Sequence, residues 1–150
     1  MIFRKATLND LPEIIAMYAD DELGKTREKF QIPLPKEYLE AFKNISEDKN
    51  QELIVVVNET NAIIGTLQLT FLQYLNRLGS LRAQIESVVI KRAYRGKGFG
   101  KSMFTWAINR AKEKNAVIIQ LTSDKKRPEA IKFYENLGFT PSHEGFKLQF

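Results

Sequence analysis

The chain has 150 residues, of which 43% are hydrophobic and 27% charged, which suits a single domain spanning residues 1–150. It has no cysteine and one histidine, His143, so composition excludes a disulfide framework, a thiolate or multi-histidine metal site and a cysteine nucleophile. No apolar run approaches the roughly 18 residues of a membrane span, and the first residues lack a signal peptide's apolar region. We therefore expect a soluble cytoplasmic protein with no bound metal and no membrane partner.

The net charge of +5 is concentrated in one short segment. Residues 91–101 carry five basic side chains and no acidic one, so the remainder of the chain, with 18 residues of each sign, is neutral. A focused positive charge favours a small anion, whereas a nucleic-acid surface needs basic residues spread along a face. We therefore expect no nucleic-acid partner.

The hydrophobic pattern predicts strands that first pair as a meander and then alternate with helices. Strands are predicted at short apolar or alternating runs, namely Ile2 to Lys5, Leu53 to Val57, Ala62 to Phe71, Leu81 to Ile90 and Val117 to Leu121. Helices are predicted after a cap at Thr7 or Asn9, over Lys36 to Ile45, from Met103 to Ala111, and from Pro128 to Leu137 before Gly138. Phe139 to Thr140 and Phe146 to Phe150 are predicted as a last strand pair. The pattern indicates a mixed α/β layered domain.

The predicted strand from Leu81 to Ile90 loses its alternation near its end. Arg82, Gln84 and Glu86 alternate with apolar residues, but after Ser87 three apolar residues follow in succession. A β-bulge, or a change from an exposed to a covered part of the sheet, explains such a loss of phase.

A basic loop with Gly96, Gly98 and Gly100 joins this strand to the next predicted helix. Glycines permit positive φ and close approach to a ligand, and the start of a helix offers free N–H groups to an anion. The alternative is a flexible basic turn that binds nothing. The order of strand, loop and helix favours a phosphate site.

Two nucleotide-binding motifs come close to this loop without fitting it. A P-loop needs four residues between its first glycine and Gly-Lys-Ser/Thr, whereas only three separate Gly96 from Gly100-Lys101-Ser102. The dinucleotide fingerprint needs a glycine where Lys101 stands, although an acid, Asp124, does follow the next predicted strand.

A third motif fits better. Arg95-Gly96-Lys97-Gly98-Phe99-Gly100 resembles the Arg/Gln-x-x-Gly-x-Gly/Ala signature of the GNAT superfamily of N-acyltransferases, which holds the pyrophosphate of acetyl-CoA. Residues 130–139 resemble the closing Ala-x-x-x-Tyr-x-x-x-Gly-Phe helix and turn of that family, and a similar strand precedes its loop. The resemblance covers essentially the whole chain. It implies a GNAT-like α/β fold, with a mixed, mostly antiparallel sheet of about six or seven strands and about four flanking helices.

The resemblance also implies acetyl-CoA as cosubstrate. The splayed end of the strand would offer backbone groups to the pantetheine arm, with the Val89 N–H as oxyanion donor. The residues expected to bind the coenzyme are Val88, Val89, Ile90, Arg95, Gly96, Lys97, Gly98, Phe99, Gly100, Lys101, Arg127 and Phe133. Arg127 stands where many members carry asparagine, so it either holds the adenosine phosphates or lines the acceptor entrance.

Two side chains are candidates for the proton transfers of acyl transfer. Glu86 lies on the polar side of its strand and is the candidate base, the alternative being a solvated residue of an amphipathic strand, and Asp124 is a weaker second base. Tyr134 resembles the family tyrosine that protonates the thiolate, and a phenol suits this role because its pKa lies above that of a thiol. His143 is interpreted as structural.

The resemblance thus implies an N-acetyltransferase that acts directly on a primary amine of a small molecule or peptide, since no cysteine can carry the acyl group. The acceptor residues are expected between the first two helices and in the hairpins, at Asp20, Asp21, Glu22, Arg27, Tyr38, Gln68, Phe71 and Tyr74. The alternatives are a non-catalytic acyl-CoA-binding regulator or sensor and, less in keeping with the focused charge, a DNA-binding protein. The sequence identifies neither the amine nor whether the protein is a homodimer.

Overall fold

A computed structural model describes residues 1–22 and 24–150 and contains one five-stranded sheet in the order β1-β2-β3-β4-β5. The strands are β1 (Ile2–Lys5), β2 (Gln51–Val57), β3 (Ile63–Gln73), β4 (Leu81–Ile90) and β5 (Ile118–Gln120). The helices are α1 (Leu11–Ala19), α2 (Lys36–Glu47), the single turn α3 (Asn76–Gly79), α4 (Phe99–Glu113) and α5 (Pro128–Asn136), with 3-10 turns at Leu8–Asp10 and Arg92–Tyr94.

The sheet is mixed and mostly antiparallel, which confirms the predicted fold class. The β1–β2, β2–β3 and β3–β4 pairs are antiparallel, and only β4 and β5 run parallel. The parallel pairing extends from Arg82 opposite Ile118 to Gln84 opposite Gln120, and β4 then continues alone on that side to Ile90. Within the described chain, the second half of β4 therefore has an open backbone edge.

The predicted irregularity in β4 is a β-bulge. The β3–β4 register shifts between Thr66 and Gln68, where Ser87 and Val88 together face one residue of β3. Ser87 adopts a φ of 53°, in the left-handed region. The bulge reverses the alternation, so that Val89 turns toward α1 and α2 while Val88 and Ile90 pack with α4 and α5.

The apolar residues divide between the two faces of the sheet. On one face, Leu67, Leu69 and Ile85 pack against Met103 and Phe104 of α4, with half-buried side chains of α5 completing the cluster. On the other face, Val55 and Val57 of β2 and Ile63 of β3 pack against Ile14 and Met17 of α1, with α2 lying farther out. The five helices include the four that were predicted, plus α3.

The strand count is one or two lower than expected, because the predicted last strand pair is absent. Residues 139–150 have no regular secondary structure. Residues 140–150 are exposed, and none of them pairs with the sheet. The predicted buried strand from Val117 to Leu121 is also shorter and less covered: β5 is half-buried and Val117 is exposed. Among the described residues β5 pairs with β4 alone, so its outer edge is not covered by another strand.

Candidate active site

The glycine loop has the backbone conformation that the sequence predicted at two of its three glycines. Gly96 and Gly98 adopt φ values of 73° and 83°, and a Cβ added at either would meet no atom within 4 Å. Gly100 differs, because its φ is not in the left-handed region and an added Cβ would lie 3.5 Å from Ile90 Cδ1 and Phe133 Cζ, at ordinary contact distance. Of these three glycines, only Gly96 and Gly98 therefore have a backbone conformation that favours glycine over other residues.

The loop leads directly into the first turn of α4. Gly98 is the N-cap residue, and the backbone N–H of Ser102 donates to the Gly98 carbonyl at 3.3 Å. The preceding amides of the turn have no helical acceptor and no side-chain cap, so they are available to an anion. A helix start of this kind, approached through open glycines, is suited to phosphate.

Only part of the positive charge of residues 91–101 remains at the loop. Lys91 forms an ion pair with Glu13, and Arg92 pairs with Asp20 at 3.2 Å, both in or at the end of α1. In the described chain, no carboxylate forms an ion pair with Arg95, Lys97 or Lys101. Arg95 instead donates from Nε to the Ile90 carbonyl at 2.9 Å, and the Lys97 ammonium lies 5.7 Å from the Tyr94 ring centroid.

The open edge of β4 adjoins this loop. The Lys91 N–H donates to the Ile64 carbonyl of β3, and Val89 faces Thr66 of the same strand. Since successive backbone groups of a strand point to opposite sides, the Val89 N–H faces β3, and the N–H and carbonyl of Ile90 face the open edge. The contact from Arg95 to the Ile90 carbonyl agrees with this orientation. The amide placed to meet a ligand is therefore that of Ile90 rather than of Val89.

Tyr134 of α5 lies in an aromatic cluster under the loop. Its ring centroid is 5.3 Å from that of Phe104, 5.5 Å from that of Phe133 and 6.2 Å from that of Phe139. Burial raises the pKa of Tyr134, and the positive charge of Arg127 partly opposes this. The phenol is therefore protonated at neutral pH and able to donate a proton, with its ring fixed by packing.

A cavity of about 210 Å³ lies on the opposite face of the sheet, between α1, α2 and the bulge of β4. Its walls are mainly apolar, with polar groups toward the bulge and toward the connection between the two helices. It is lined by Leu11, Ile14, Ile15, Tyr18, Asp21, Arg27, Glu28, Tyr38, Ala41, Phe42, Ile45, Leu53, Gln68, Ser87 and Val89. Because Ser87 and Val89 belong to β4, the cavity reaches the same strand that has an open backbone edge in its second half.

Four of the eight predicted acceptor residues line this cavity, and four do not. Asp21, Arg27, Tyr38 and Gln68 are in its wall. The others lie elsewhere: Asp20 pairs with Arg92, Glu22 pairs with Lys25, Phe71 is buried on the α4 side of the sheet, and Tyr74 is exposed with Arg82 over its ring. Phe71 lies on the opposite face from Gln68 because side chains alternate between the two faces of β3 and these residues are an odd number of positions apart.

Three polar residues of the cavity lining, Tyr18, Glu28 and Ser87, were not predicted as site residues. Burial raises the pKa of Tyr18 to about 12, although hydrogen bonds with Thr66 and Ser87 act in the opposite direction. The Thr66 hydroxyl donates to the Ile54 carbonyl at 2.9 Å, so its oxygen is left to accept from Tyr18. Ser87 had a signal in the sequence, since it is the polar residue at which the alternation of β4 fails.

Glu86 lies on the cavity side of the sheet, as its predicted role requires. Its register partner is Gln68, which lines the cavity, and residues directly opposite each other in an antiparallel pair share a face. Glu86 is exposed, and it accepts a hydrogen bond from Gln84 Nε2 at 2.8 Å. Asp124, the weaker candidate, instead accepts the Lys126 N–H at 2.9 Å within an exposed turn.

Arg127 forms an ion pair with a residue of the cavity lining, and its charge also acts on Tyr134. Its Nη2 lies 2.7 Å from Asp21 Oδ2, a pair that joins the end of α1 to the start of α5. Asp21 lines the cavity, and the charge of Arg127 acts on Tyr134. Of the two roles left open by the sequence, this position favours the acceptor entrance. His143 is exposed and contacts Ser142 Oγ through Nδ1 at 2.8 Å.

Comparison with known proteins identifies the family. Residues 15–139 match the model of the acetyltransferase (GNAT) family. The chain belongs to this family. None of the helices in the described chain is long and apolar enough to cross a membrane.

Individual relatives carry different functional names. A crystal structure of a transcriptional regulator from Bacillus halodurans C-125 is 52% identical, with a TM-score of 0.96 and 99% of each chain covered. A protein from Agrobacterium tumefaciens strain C58 that is named as an acetyltransferase is 25% identical, with a TM-score of 0.86 and 99% of each chain covered. Glucosamine 6-phosphate N-acetyltransferase of Trypanosoma brucei brucei is 33% identical over 89 residues, which span 59% of this chain and 58% of that enzyme.

Proposed function

We propose that this GNAT family member transfers the acetyl group of acetyl-CoA directly to a primary amine. The observation that carries the proposal is the arrangement around β4. The start of α4, which has no side-chain cap, follows one end of the strand, the strand edge at Ile90 is open, and Ser87 and Val89 of the same strand line the cavity. An extended thioester bound along the open edge would meet an amine entering from the cavity.

The coenzyme would be held by backbone groups and by the cations left at the loop. The amides of the first turn of α4 would bind the pyrophosphate, with Arg95, Lys97 and Lys101 neutralising its charge. The Ile90 N–H would polarise the thioester carbonyl. It takes the role that the sequence assigned to Val89, because the Ile90 N–H faces the open edge and the Val89 N–H faces β3. The open space at Gly96 and Gly98 supports such an approach, because a Cβ at either position would project into it.

The chemistry needs two proton transfers. The amine nitrogen attacks the carbonyl carbon, the carbon–sulfur bond breaks, and the amine proton passes to Glu86 directly or through water. The departing thiolate takes a proton from Tyr134, which recovers it from solvent. Positioned acids and bases of this kind typically accelerate a reaction by about 10²–10⁴-fold.

The cavity supports an acceptor amine with an apolar body. Leu11, Ile15, Phe42 and Leu53 offer an apolar surface to the part of the molecule that does not react. Among the described residues, Arg27 is the one cation in the cavity lining, and its Nε lies 3.6 Å from Glu28 Oε1. A sugar phosphate would compete with this carboxylate for the guanidinium, so we favour an aliphatic or aromatic amine over glucosamine 6-phosphate.

A non-catalytic acyl-CoA-binding regulator is the second candidate. The 52% identity to a protein named as a transcriptional regulator supports it. Such a protein would need the coenzyme site but neither Glu86 nor Tyr134. Both residues are present in this chain, and we therefore place the enzyme first.

Release of the coenzyme thiol from acetyl-CoA, measured across aliphatic amines, aromatic amines, polyamines, amino acids and glucosamine 6-phosphate, tests the proposal. We expect turnover with an apolar amine, a loss of about 10²–10⁴-fold in kcat for Tyr134→Phe, and a flattened low-pH limb of the rate profile for Glu86→Gln. Tyr74→Phe, on an exposed tyrosine away from the cavity, is the matched control and should be unaffected.

Two results would count against this proposal in different ways. Calorimetric binding of acetyl-CoA without thiol release for any amine would favour the regulator. A Tyr134→Phe enzyme with near-normal kcat would instead leave the transferase in place and remove Tyr134 as the acid.

A further inference from the structure

Three hydroxyl groups form a line from the interior of the sheet to the cavity. The first belongs to Thr66 of β3, which is fully buried and donates to the Ile54 carbonyl at 2.9 Å. Tyr18 of α1 lines the cavity and forms hydrogen bonds with both Thr66 and Ser87. Ser87, at the bulge of β4, also lines the cavity and is exposed. We call Thr66, Tyr18 and Ser87 the hydroxyl chain.

The direction of these hydrogen bonds is fixed at the buried end of the hydroxyl chain. Each hydroxyl has one proton, and Thr66 gives its proton to the Ile54 carbonyl, which can only accept. Tyr18 therefore donates to Thr66, and Ser87 donates to Tyr18. Because burial raises the pKa of Tyr18 to about 12, the phenol keeps its proton at neutral pH. The Ser87 oxygen consequently offers only lone pairs to the cavity.

The bulge brings this oxygen to the same side of the sheet as Glu86. In a regular strand two successive side chains point to opposite faces. Here Ser87 has a φ of 53° and lines the cavity, while Glu86 is opposite Gln68, which also lines it. Two successive residues of β4 therefore each present a hydrogen-bond acceptor on the cavity side.

We propose that Ser87 Oγ accepts a hydrogen bond from the reacting nitrogen of the acceptor and thereby selects primary amines, an inference that rests on the transferase function proposed above. A neutral primary amine has two N–H groups, one for Ser87 and one for Glu86, and its lone pair stays free to attack the thioester carbon. A secondary amine has one N–H and cannot satisfy both. Ser87 neither gains nor loses a proton, so the bonds that form and break are unchanged.

The hydroxyl chain matters because a hydroxyl that donated to the amine would bind its lone pair and suppress the attack. Thr66 and Tyr18 are therefore positioning residues, since they act through Ser87. Hydrogen bonds in such a chain also polarise and strengthen one another.

Ser87→Gly tests the contact with the amine. Glycine adopts a φ of 53° without strain, so the bulge should persist while the hydroxyl is lost. The kcat/KM for a primary amine should fall about 10-fold, as expected for one hydrogen bond made in the transition state, with unchanged calorimetric affinity for acetyl-CoA. The preference for this amine over its N-methyl derivative, measured by thiol release, should fall from about 10-fold to about 2-fold.

Leu78→Gly is the matched control for a glycine at a positive φ. Leu78 has a φ of 59°, is almost fully exposed and lies in the connection that leads into β4. This variant should keep the wild-type kcat/KM and the wild-type preference for the primary amine.

Thr66→Val tests the direction of the hydroxyl chain without touching the amine, because Thr66 is buried within the sheet. Without an acceptor at position 66, the Tyr18 proton turns toward Ser87 and the Ser87 proton turns toward the cavity. The kcat/KM for the primary amine should again fall about 10-fold, and Thr66→Ser, which keeps the hydroxyl, should restore it. Urea denaturation verifies that each variant is folded.

The outcomes separate this inference from the proposed function. Wild-type turnover that Ser87→Gly and Thr66→Val both leave unchanged would overturn the role of Ser87 and leave the transferase in place. A loss in Ser87→Gly with normal kinetics in Thr66→Val would show that Ser87 acts by the space it fills, which also overturns the inference. No thiol release with any amine would overturn the proposed function together with it.

Discussion

The two faces of the sheet are packed in different ways. On the α4–α5 face, Phe104 is buried and contacts three other aromatic rings, and Ala107 and Ala111 bring α4 close to the strands. On the α1–α2 face, α2 has no buried residue, although its Phe42 and Ile45 pack against the core, and the cavity of about 210 Å³ lies between this helix and the sheet. The close-packed side fixes the glycine loop and Tyr134, while the looser side leaves the space that we propose for the acceptor amine.

Each face nevertheless has a buried carboxylate that is held by an arginine. On the α4 side, Glu52 of β2 is buried and its carboxylate lies 2.6 Å from Arg110, which lowers the pKa of Glu52. On the α1 side, Asp10 is buried and forms two hydrogen bonds with Arg4, at 2.7 and 2.8 Å. The contrast between the faces is therefore one of apolar packing and not of electrostatic anchoring.

The packing contrast predicts unequal costs for the same truncation. Phe104→Ala should lower the free energy of unfolding by about 3–5 kcal/mol, because it opens a cavity among rings that cannot close it. Phe42→Ala, on α2 beside an existing cavity, should cost less than about 2 kcal/mol. Urea denaturation of both variants, with unchanged m-values, measures the difference. Equal losses would show that the α1–α2 face is packed as firmly as the other.

The second comparison is between two glycines of one loop. Gly98→Val should weaken acetyl-CoA binding by about 100-fold, because valine resists a φ of 83° and its side chain would occupy the open space before α4. Gly100→Ala should bind normally, because its Cβ only reaches contact distance from Ile90 and Phe133. Calorimetric titration of folded variants checks both. Normal affinity in Gly98→Val would exclude the loop as the coenzyme site.

The same difference between the faces decides what could be predicted from the sequence. The α4–α5 side is built from local signals, since the glycine spacing, the helix start and the Ala-x-x-x-Tyr pattern each lie within about ten residues. The cavity is assembled from side chains far apart in the chain, and the 2.7 Å contact of Arg127 with Asp21 joins positions 106 residues apart. No local pattern encodes such a contact.

The fold class and the order of elements were predictable for the same reason. Short apolar or alternating runs and helical spacings predicted each of the five strands and the four longer helices, and the failure of alternation at Ser87 gave a bulge as one of two explanations. The alternation of Phe146, Leu148 and Phe150 also predicted a strand, and the structure of the single chain does not contain it. A strand pattern specifies which side chains need cover, but it does not specify whether that cover comes from the same chain.

The smallest effect should come from the ion pair that anchors the α1 side. Hydrogen bonds from Arg4, aided by those from Thr7, lower the pKa of Asp10 from 3.8 to about 2, although burial opposes this. A carboxyl group with a lowered folded-state pKa adds stability above its unfolded pKa and loses it as the pH falls toward the folded value. The shift corresponds to about 1–2 kcal/mol, allowing for solvent screening of the partly exposed Arg4.

Asp10→Asn should therefore lower the free energy of unfolding by this amount at pH 7, and the deficit should shrink by roughly half at pH 3. Glu59→Gln, in the exposed β2–β3 turn, should change it by less than about 0.5 kcal/mol at either pH. A deficit of Asp10→Asn that stays constant between pH 7 and pH 3 would mean that Asp10 acts through packing and turn geometry rather than through its charge.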